Sequence, residues 1–273
     1  EGAFYRATGL TIAQLSDEWK EAIQERFLPE IAQFERTRRI ATLSLSRRRT
    51  GGMYHMAPTL SPDGRQIAFF SERSDFFISL WLGDVESGKA RRQLIKSGYS
   101  TNFESLRFIY QSGAFSPDGR WFAIAAKRKE RDDIVIIDVR SGRVIRRIRI
   151  PLNGATNPTW SPDGRRLAFT GFDGGLSDLY VVNADGSGFE RLTSDKYADL
   201  QPAWSPDGRT IAFTTDRGPE TDFTTLRFGN YRIALYHVDS RQVEVLGRMD
   251  QGKNINPAWA PDGRSLAFVS DRS

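Results

Sequence analysis

The stretch Asn157-Pro158-Thr159-Trp160-Ser161-Pro162-Asp163-Gly164-Arg165-Arg166-Leu167-Ala168-Phe169-Thr170 reads as two buried strands around a tight turn. In that turn Pro presets φ for the second position, Asp tolerates the third, and Gly takes the left-handed position that closes a hairpin. The phrase Ser-Pro-Asp-Gly-Arg begins at Ser61, Ser116, Ser161 and Ser205, and recurs as Ala-Pro-Asp-Gly-Arg from Ala260. Successive copies start 55, 45, 44 and 55 residues apart, a period near 45 with two insertions.

The flanks repeat with the turn. Thr59-Leu60, Ala114-Phe115, Thr159-Trp160, Ala203-Trp204 and Ala258-Trp259 precede it. Ile67-Ala68-Phe69, Phe122-Ala123-Ile124, Leu167-Ala168-Phe169, Ile211-Ala212-Phe213 and Leu266-Ala267-Phe268 follow it. Third strands are expected through Leu80-Trp81-Leu82, Ile134 to Ile137, Asp178 to Val182 and Ile233 to Tyr236, with fourth strands ending at Leu94, Ile148, Thr193 and Leu246. Four strands in a period near 45 make the blade of a propeller. The aromatic before the turn and the Ala after it suit blades stacked face to face, so Trp160, Trp204 and Trp259 are read as packing residues.

The repeated carboxylates Asp63, Asp118, Asp163, Asp207 and Asp262 have a rival reading, as catalytic or metal-binding groups. A propeller is expected to set such turns around a ring, far from one another, which favours the structural reading.

These phrases, with Ser177-Asp-Leu-Tyr-Val-Val-Asn-Ala-Asp-Gly-Ser-Gly-Phe-Glu-Arg-Leu-Thr, resemble the WD40-like repeat of TolB-type propellers over about residues 40 to 273. The resemblance implies an all-β fold: a β-propeller of four-stranded antiparallel blades, four complete and part of a fifth, behind a short N-terminal α-helical segment. Two departures stand out. Gly113 replaces the Pro of the other copies, and the chain stops after the second strand of its fifth blade, so a parent that continues is expected. The same repeat occurs in periplasmic transport factors, in the propellers of prolyl-oligopeptidase-like serine peptidases and beside metallopeptidase domains, so it specifies fold more than function.

Residues 1–39 form a helical segment, expected to be the end of an upstream domain, and 40–273 the propeller. Leu15, Trp19, Ile23 and Phe27 recur at steps of four, Ser16 or Thr11 can cap, and Pro29 is expected to break the helix, which resumes through Ile31 and Phe34. The string from Thr8 to Ile23 resembles the closing helix of gluzincin-type peptidase domains that precede such propellers in bacterial envelope proteins. A peptidase of that kind needs His-Glu-x-x-His, and this chain has only His55 and His237, in unrelated contexts. The resemblance implies that any metal site lies upstream of Glu1. Residues 40–46 alternate as a strand would and are expected to close the ring as an outer strand.

The remaining chemistry is sparse. Cysteine is absent, which excludes disulfides and thiolate sites. No apolar run is long enough for a transmembrane helix, and neither Gly-x-Ser-x-Gly nor a phosphate-cradling glycine motif occurs. No catalytic residue, metal site or cofactor is expected within the chain. The net charge of +5 gathers in arginine clusters, including Arg146-Arg147-Ile148-Arg149. Their alternation with Ile reads as a charge-protected edge rather than a nucleic-acid surface.

The two insertions locate the expected binding face. Strands one and three run one way and two and four the other, so strand 2–3 loops and blade-to-blade links share one face. The first insertion is the link 96–112, with Tyr99, Asn102, Phe103, Glu104 and Arg107 as candidate partner-binding residues. The second is the loop 216–230, with Arg217, Asp222, Phe223 and Arg227. Long loops on one end of a rigid scaffold are where binding usually resides; the alternative is that these loops only cover the mouth of the channel or meet a further domain. The expectation is a non-catalytic propeller that binds a protein or peptide, and the resemblance to TolB-type propellers implies the periplasm or another extracytoplasmic compartment of a bacterium. It would serve a fused upstream metallopeptidase or, alternatively, gate a serine peptidase whose hydrolase domain lies outside the chain. An assembly scaffold without a ligand is the third possibility.

Overall fold

The computed structural model describes residues 2–31, 45–52, 54–73, 78–96, 105–106, 112–128 and 131–272. The chain divides into two compact units, residues 1–44 and 45–273. In the first unit, α1 spans Gly2–Thr8 and α2 spans Ile12–Ile31. Thr11 starts α2 through a reciprocal cap: its hydroxyl accepts the Gln14 amide at 3.2 Å, and Gln14 Oε1 accepts the Thr11 amide at 2.9 Å. Pro29 sits inside the last turn of α2, so the break expected there does not occur before Ile31.

The second unit begins with a one-turn helix, α3 (Arg47–Thr50). Of the expected closing strand, 40–44 lies outside the described residues, while Leu45 and Ser46 pair with no strand and lead into α3. The first blade is β1 (Met56–Leu60), β2 (Gln66–Ser71), β3 (Ser79–Asp84) and β4 (Ala90–Ile95). In the second, β5 (Ser105–Leu106) and β6 (Ala114–Phe115) share the inner position beside β7 (Trp121–Arg128), followed by β8 (Arg131–Asp138) and β9 (Val144–Arg149). The third is β10 (Gly154–Trp160), β11 (Arg166–Asp173), β12 (Leu176–Asn183) and β13 (Glu190–Arg191). The fourth is β14 (Asp199–Trp204), β15 (Thr210–Thr215), β16 (Arg232–His237) and β17 (Gln242–Val245). A two-stranded sheet follows, β18 (Asn254–Trp259) and β19 (Leu266–Ser270). Every pairing is antiparallel and, apart from that of β5 with β7, between consecutive strands, the meander of a propeller blade.

The core lies between blades, as the large-small alternation demands. Ala123, Ile134 and Ile136 of the second blade pack with Trp160, Leu167, Phe169 and Tyr180 of the third. Ala168, Leu179 and Val181 of the third pack with Trp204, Ile211 and Phe213 of the fourth. Each buried aromatic or branched side chain contributes about 1.5–3 kcal/mol. Two tryptophans also tie inner strands together. Trp160 Nε1 donates to the Ala114 carbonyl at 3.2 Å, and Trp259 Nε1 to the Ala203 carbonyl at 3.1 Å.

The Pro-Asp-Gly turns are built by their serines. Ser61, Ser116, Ser161 and Ser205 each donate a hydroxyl to the turn aspartate at 2.5–2.6 Å, and that carboxylate accepts the arginine amide two residues on at 3.0 Å. These hydrogen bonds, the serine's first, hold Asp63, Asp118, Asp163 and Asp207 below the ordinary carboxylate range. The carboxylates thus serve their own turns. Neighbouring turns are not far apart, however. A Cβ placed on Gly164 would lie 3.7 Å from Pro117 Cδ, and Gly119, Gly208 and Gly263 meet Pro62, Pro162 and Pro206 in the same way. Blades stack so closely on their inner strands that each turn rests on the one before.

The odd Gly113 has a steric explanation. A Cβ there would lie 2.3 Å from Phe122 Cε1 and 2.7 Å from the Ala123 carbonyl oxygen. Where the other copies carry Pro58, Pro158, Pro202 and Pro257, the position of Phe122 holds the smaller Ile67, Leu167, Ile211 and Leu266. The Phe ring and the Pro ring compete for one space.

Candidate functional site on the loop face

The insertion 216–230 joins β15 to β16 and is a small structure in its own right. Asp222 and Arg227 exchange backbone hydrogen bonds at 2.8 and 2.9 Å, closing a hairpin with Leu226 at its tip in the left-handed region, φ 54°. The Asp222 carboxylate accepts the Thr224 amide at 2.8 Å and the Thr225 hydroxyl at 2.9 Å, in that order of strength holding it below its ordinary value. At the neck, the Thr221 hydroxyl donates to the Asp216 carbonyl at 2.6 Å and accepts the Gly229 amide at 3.0 Å.

Two buried guanidinium groups anchor this hairpin. Arg217, 11% exposed in its side chain, forks onto Asp199, which has no exposed surface; Nη2 meets Oδ2 at 2.9 Å and Nη1 pairs with Oδ1. The same guanidinium bonds the Thr215 hydroxyl at 2.7 Å and Asp195 at 2.6 Å, and lies over the Tyr197 ring at 5.3 Å. Burial pushes Asp199 up to about 6 against the pull of Arg217. Asp216, also raised by burial, accepts the Ala198 amide at 2.8 Å. Arg232 bridges Glu220 at 2.5 Å and Asp250 at 2.6 Å. Gly218 is required here, because a Cβ would stand 2.7 Å from Arg232 Nε.

This scaffold presents two large apolar side chains outward, beside the exposed Asp222, Thr224, Thr225 and Arg227. Leu226 is 72% and Phe228 62% exposed. Phe223 sits beneath them, edge-on to Phe228 at 6.4 Å and to Tyr197 at 5.1 Å, with the Lys196 ammonium 6.0 Å from its ring centre. An exposed hydrophobic tip held by rigid polar joints loses little entropy on docking, which is the form of a recognition element.

The candidate residues divide accordingly. Asp222, Phe223 and Arg227 lie together in the hairpin, Phe223 as its half-buried support. Arg217 faces inward and acts as the anchor. Tyr99, Asn102, Phe103, Glu104 and Arg107 lie outside the described residues. Of their link, Ser105 and Leu106 pair with Lys127 and Ala126, at the end of β7 that leads into the β7–β8 turn and hence on the face of the 216–230 hairpin. Sequence reasoning missed Leu226, Phe228 and Tyr197. The length of the insertion was the available signal, since exposure of an apolar residue cannot be read from its identity.

A second concavity opens along the inner strands, a cavity of about 910 Å³. Ala57, Asn157, Gln201 and Asn256, each before a proline, line it with φ between 48° and 54°, and the strand register slips at each of them. The Gln201 amide donates to Thr170 Oγ1 at 3.1 Å, and Gln201 Oε1 accepts the Thr214 hydroxyl and the Asn256 amide at 2.9 and 3.0 Å. The bonds to Thr170 and Asn256 cross from blade to blade, while that from Thr214 stays within the fourth. Among the described residues no cluster of His, Asp and Glu has the arrangement of a metal site, and no helix is long and apolar enough to cross a membrane.

Comparison with known proteins gives a consistent result. The TolB β-propeller domain family, PD40, matches residues 44–215. An uncharacterised protein of Agrobacterium fabrum is 30% identical over 213 residues, which cover 77% of this chain and 68% of that protein. The Tol-Pal system protein TolB of Anaeromyxobacter dehalogenans is 39% identical over 98 residues, 35% of this chain and 22% of its own length. The chain therefore matches about a fifth of that TolB. A candidate TolB structure from Agrobacterium tumefaciens superposes with a TM-score of 0.62 at 25% identity, over 81% of this chain and 77% of that one. TolB from Acinetobacter baumannii gives a TM-score of 0.62 at 22% identity over 80% and 52%, a likeness of fold.

Proposed function

The chain belongs to the TolB β-propeller domain family, and from that membership we propose that it is a non-catalytic protein-binding module of the bacterial cell envelope, acting in the periplasm. The likeness to Tol-Pal system proteins supports the compartment. One observation carries the binding role: Leu226 and Phe228 stand exposed on a hairpin whose base is fixed by Arg217 and Arg232. A monomer gains nothing from two such side chains in water, and the ordering that holds them there is complete before any partner arrives. The partner fits as a protein with an apolar groove, into which the tip inserts while Arg227 and Asp222 orient it at the rim.

The experiment compares what the immobilised wild-type chain and the variant Leu226→Asp/Phe228→Asp retain from an envelope extract. Loss of the wild type's specific bands from the variant, with melting unchanged, supports the reading. Equal retention by both moves the binding surface elsewhere.

A further inference from the structure

Charge is distributed unevenly along this chain. From Lys89 to Arg149 there are fifteen basic and six acidic residues, a net +9, whereas the whole chain carries +5, so the remainder is net −4. The described part of this excess gathers on the outer rim of the first two blades. Arg140 and Arg143 occupy the turn between β8 and β9, Arg146 and Arg149 lie in β9, and Arg92 lies in β4.

Among the described residues, none of these five arginines has a carboxylate within 4.0 Å. Two are braced by neutral groups instead. Arg92 donates to the carbonyls of Val139 and Arg140, and Arg146 donates to the Asp185 carbonyl at 3.0 Å. Such bonds fix a guanidinium without cancelling its charge. The Asp185 carboxylate, held below its ordinary value first by Ser187 and more weakly by Arg146, offsets one of the five at longer range. Between Arg143 and Arg146 stands Ile145, 47% exposed, while Ile148 of the same strand is buried.

An edge strand needs charge to deter pairing with other edges, but alternating signs serve that purpose equally well. Five arginines without a carboxylate partner, beside one turn carboxylate, Asp138, that Ser141 and Arg120 engage, and interrupted by an exposed aliphatic residue, suit a dense phosphate surface with an apolar layer beneath it. We propose that this rim docks onto anionic phospholipid, the arginines meeting headgroup phosphates and Ile145 entering the headgroup layer. Planar guanidinium groups match phosphate oxygens in pairs. Single-stranded nucleic acid would instead call for aromatic platforms, and the rim offers an aliphatic side chain. The inference is independent of the protein-binding role, whose hairpin belongs to the fourth blade.

Vesicle flotation of the full chain tests it. Vesicles of one part phosphatidylglycerol to two parts phosphatidylcholine should carry the wild type upward at low salt, release it at high salt, and bind it far more strongly than phosphatidylcholine alone. Each arginine near an anionic surface is worth about fivefold in partitioning, so Arg140→Glu/Arg143→Glu/Arg149→Glu should lose at least about a hundredfold. Should that variant fail to fold by circular dichroism, the corresponding triple Gln variant replaces it, with a smaller loss expected. Absence of wild-type flotation, equal flotation of the folded variant, or tighter binding to a DNA duplex than to the vesicles would overturn the proposal.

Discussion

Arg217 turns back from the start of its own loop to clasp Asp199, the first residue of β14, and so ties the base of an exposed hairpin to the inner strand of its blade. The pair has no way to relax into water on the Asp199 side. Removing Arg217 therefore strands a buried carboxylate, whereas removing both partners leaves a smaller deficit.

Arg217→Ala should accordingly lower stability by roughly 3–5 kcal/mol, as breaking one partner of a buried pair does. Chemical denaturation checks it, and Asp199→Ala/Arg217→Ala should cost clearly less than the two single changes added together. Additive losses would mean the two side chains act separately.

The turn carboxylates and Asp199 respond to pH with opposite signs. Asp63, Asp118, Asp163 and Asp207 are lowered by their serine hydroxyls, so their contribution is present above the unfolded value of about 3.9 and is lost as pH falls through the lower folded value. Asp199, raised to about 6, contributes below about 3.9 and loses that contribution as pH rises through about 6. The melting temperature of Ser161→Ala should depend less steeply on pH below about 4 than that of the wild type. Parallel curves would show that the hydroxyl does not act on Asp163.

The fifth turn supplies a gain-of-stability test. Ala260 stands where the other copies have serine, and among the described residues the Asp262 carboxylate accepts only the Arg264 amide, at 2.9 Å. Ala260→Ser should restore the missing hydroxyl bond and add about 0.5–1.5 kcal/mol by denaturant titration. A loss of stability would contradict the account of how these turns are closed.

Gly113 and Phe122 should exchange as a pair. Gly113→Pro alone forces a ring against Phe122 and should cost about 1–3 kcal/mol or more, while adding Phe122→Leu recreates the combination of the third copy and recovers much of the loss. Thermal melting of both variants decides; no recovery would mean that the backbone at 113 itself demands glycine.

The propeller was legible because its information is local and repeated. Five copies of one hairpin fix strands one and two, their spacing locates strands three and four, and Trp160 and Ala168 declare the layers between blades. What was not legible depends on neighbours distant in sequence. Arg217 looks like a surface residue until Asp199 and Asp195, some 20 residues away, are seen to enclose it. Leu226 and Phe228 look like core until the hairpin turns them outward. The contact of Pro117 with Gly164 likewise needed the stacking distance between blades, which spacing alone does not specify.

The most direct test of the protein-binding role is site-specific photo-crosslinking in the native cells, with the photoreactive residue placed in turn at Leu226, at Phe228 and, as a control, at Val243 on the outer strand β17. The account predicts one discrete protein adduct shared by positions 226 and 228 and absent at 243. No adduct at either tip position, or the same adducts at all three, would contradict it.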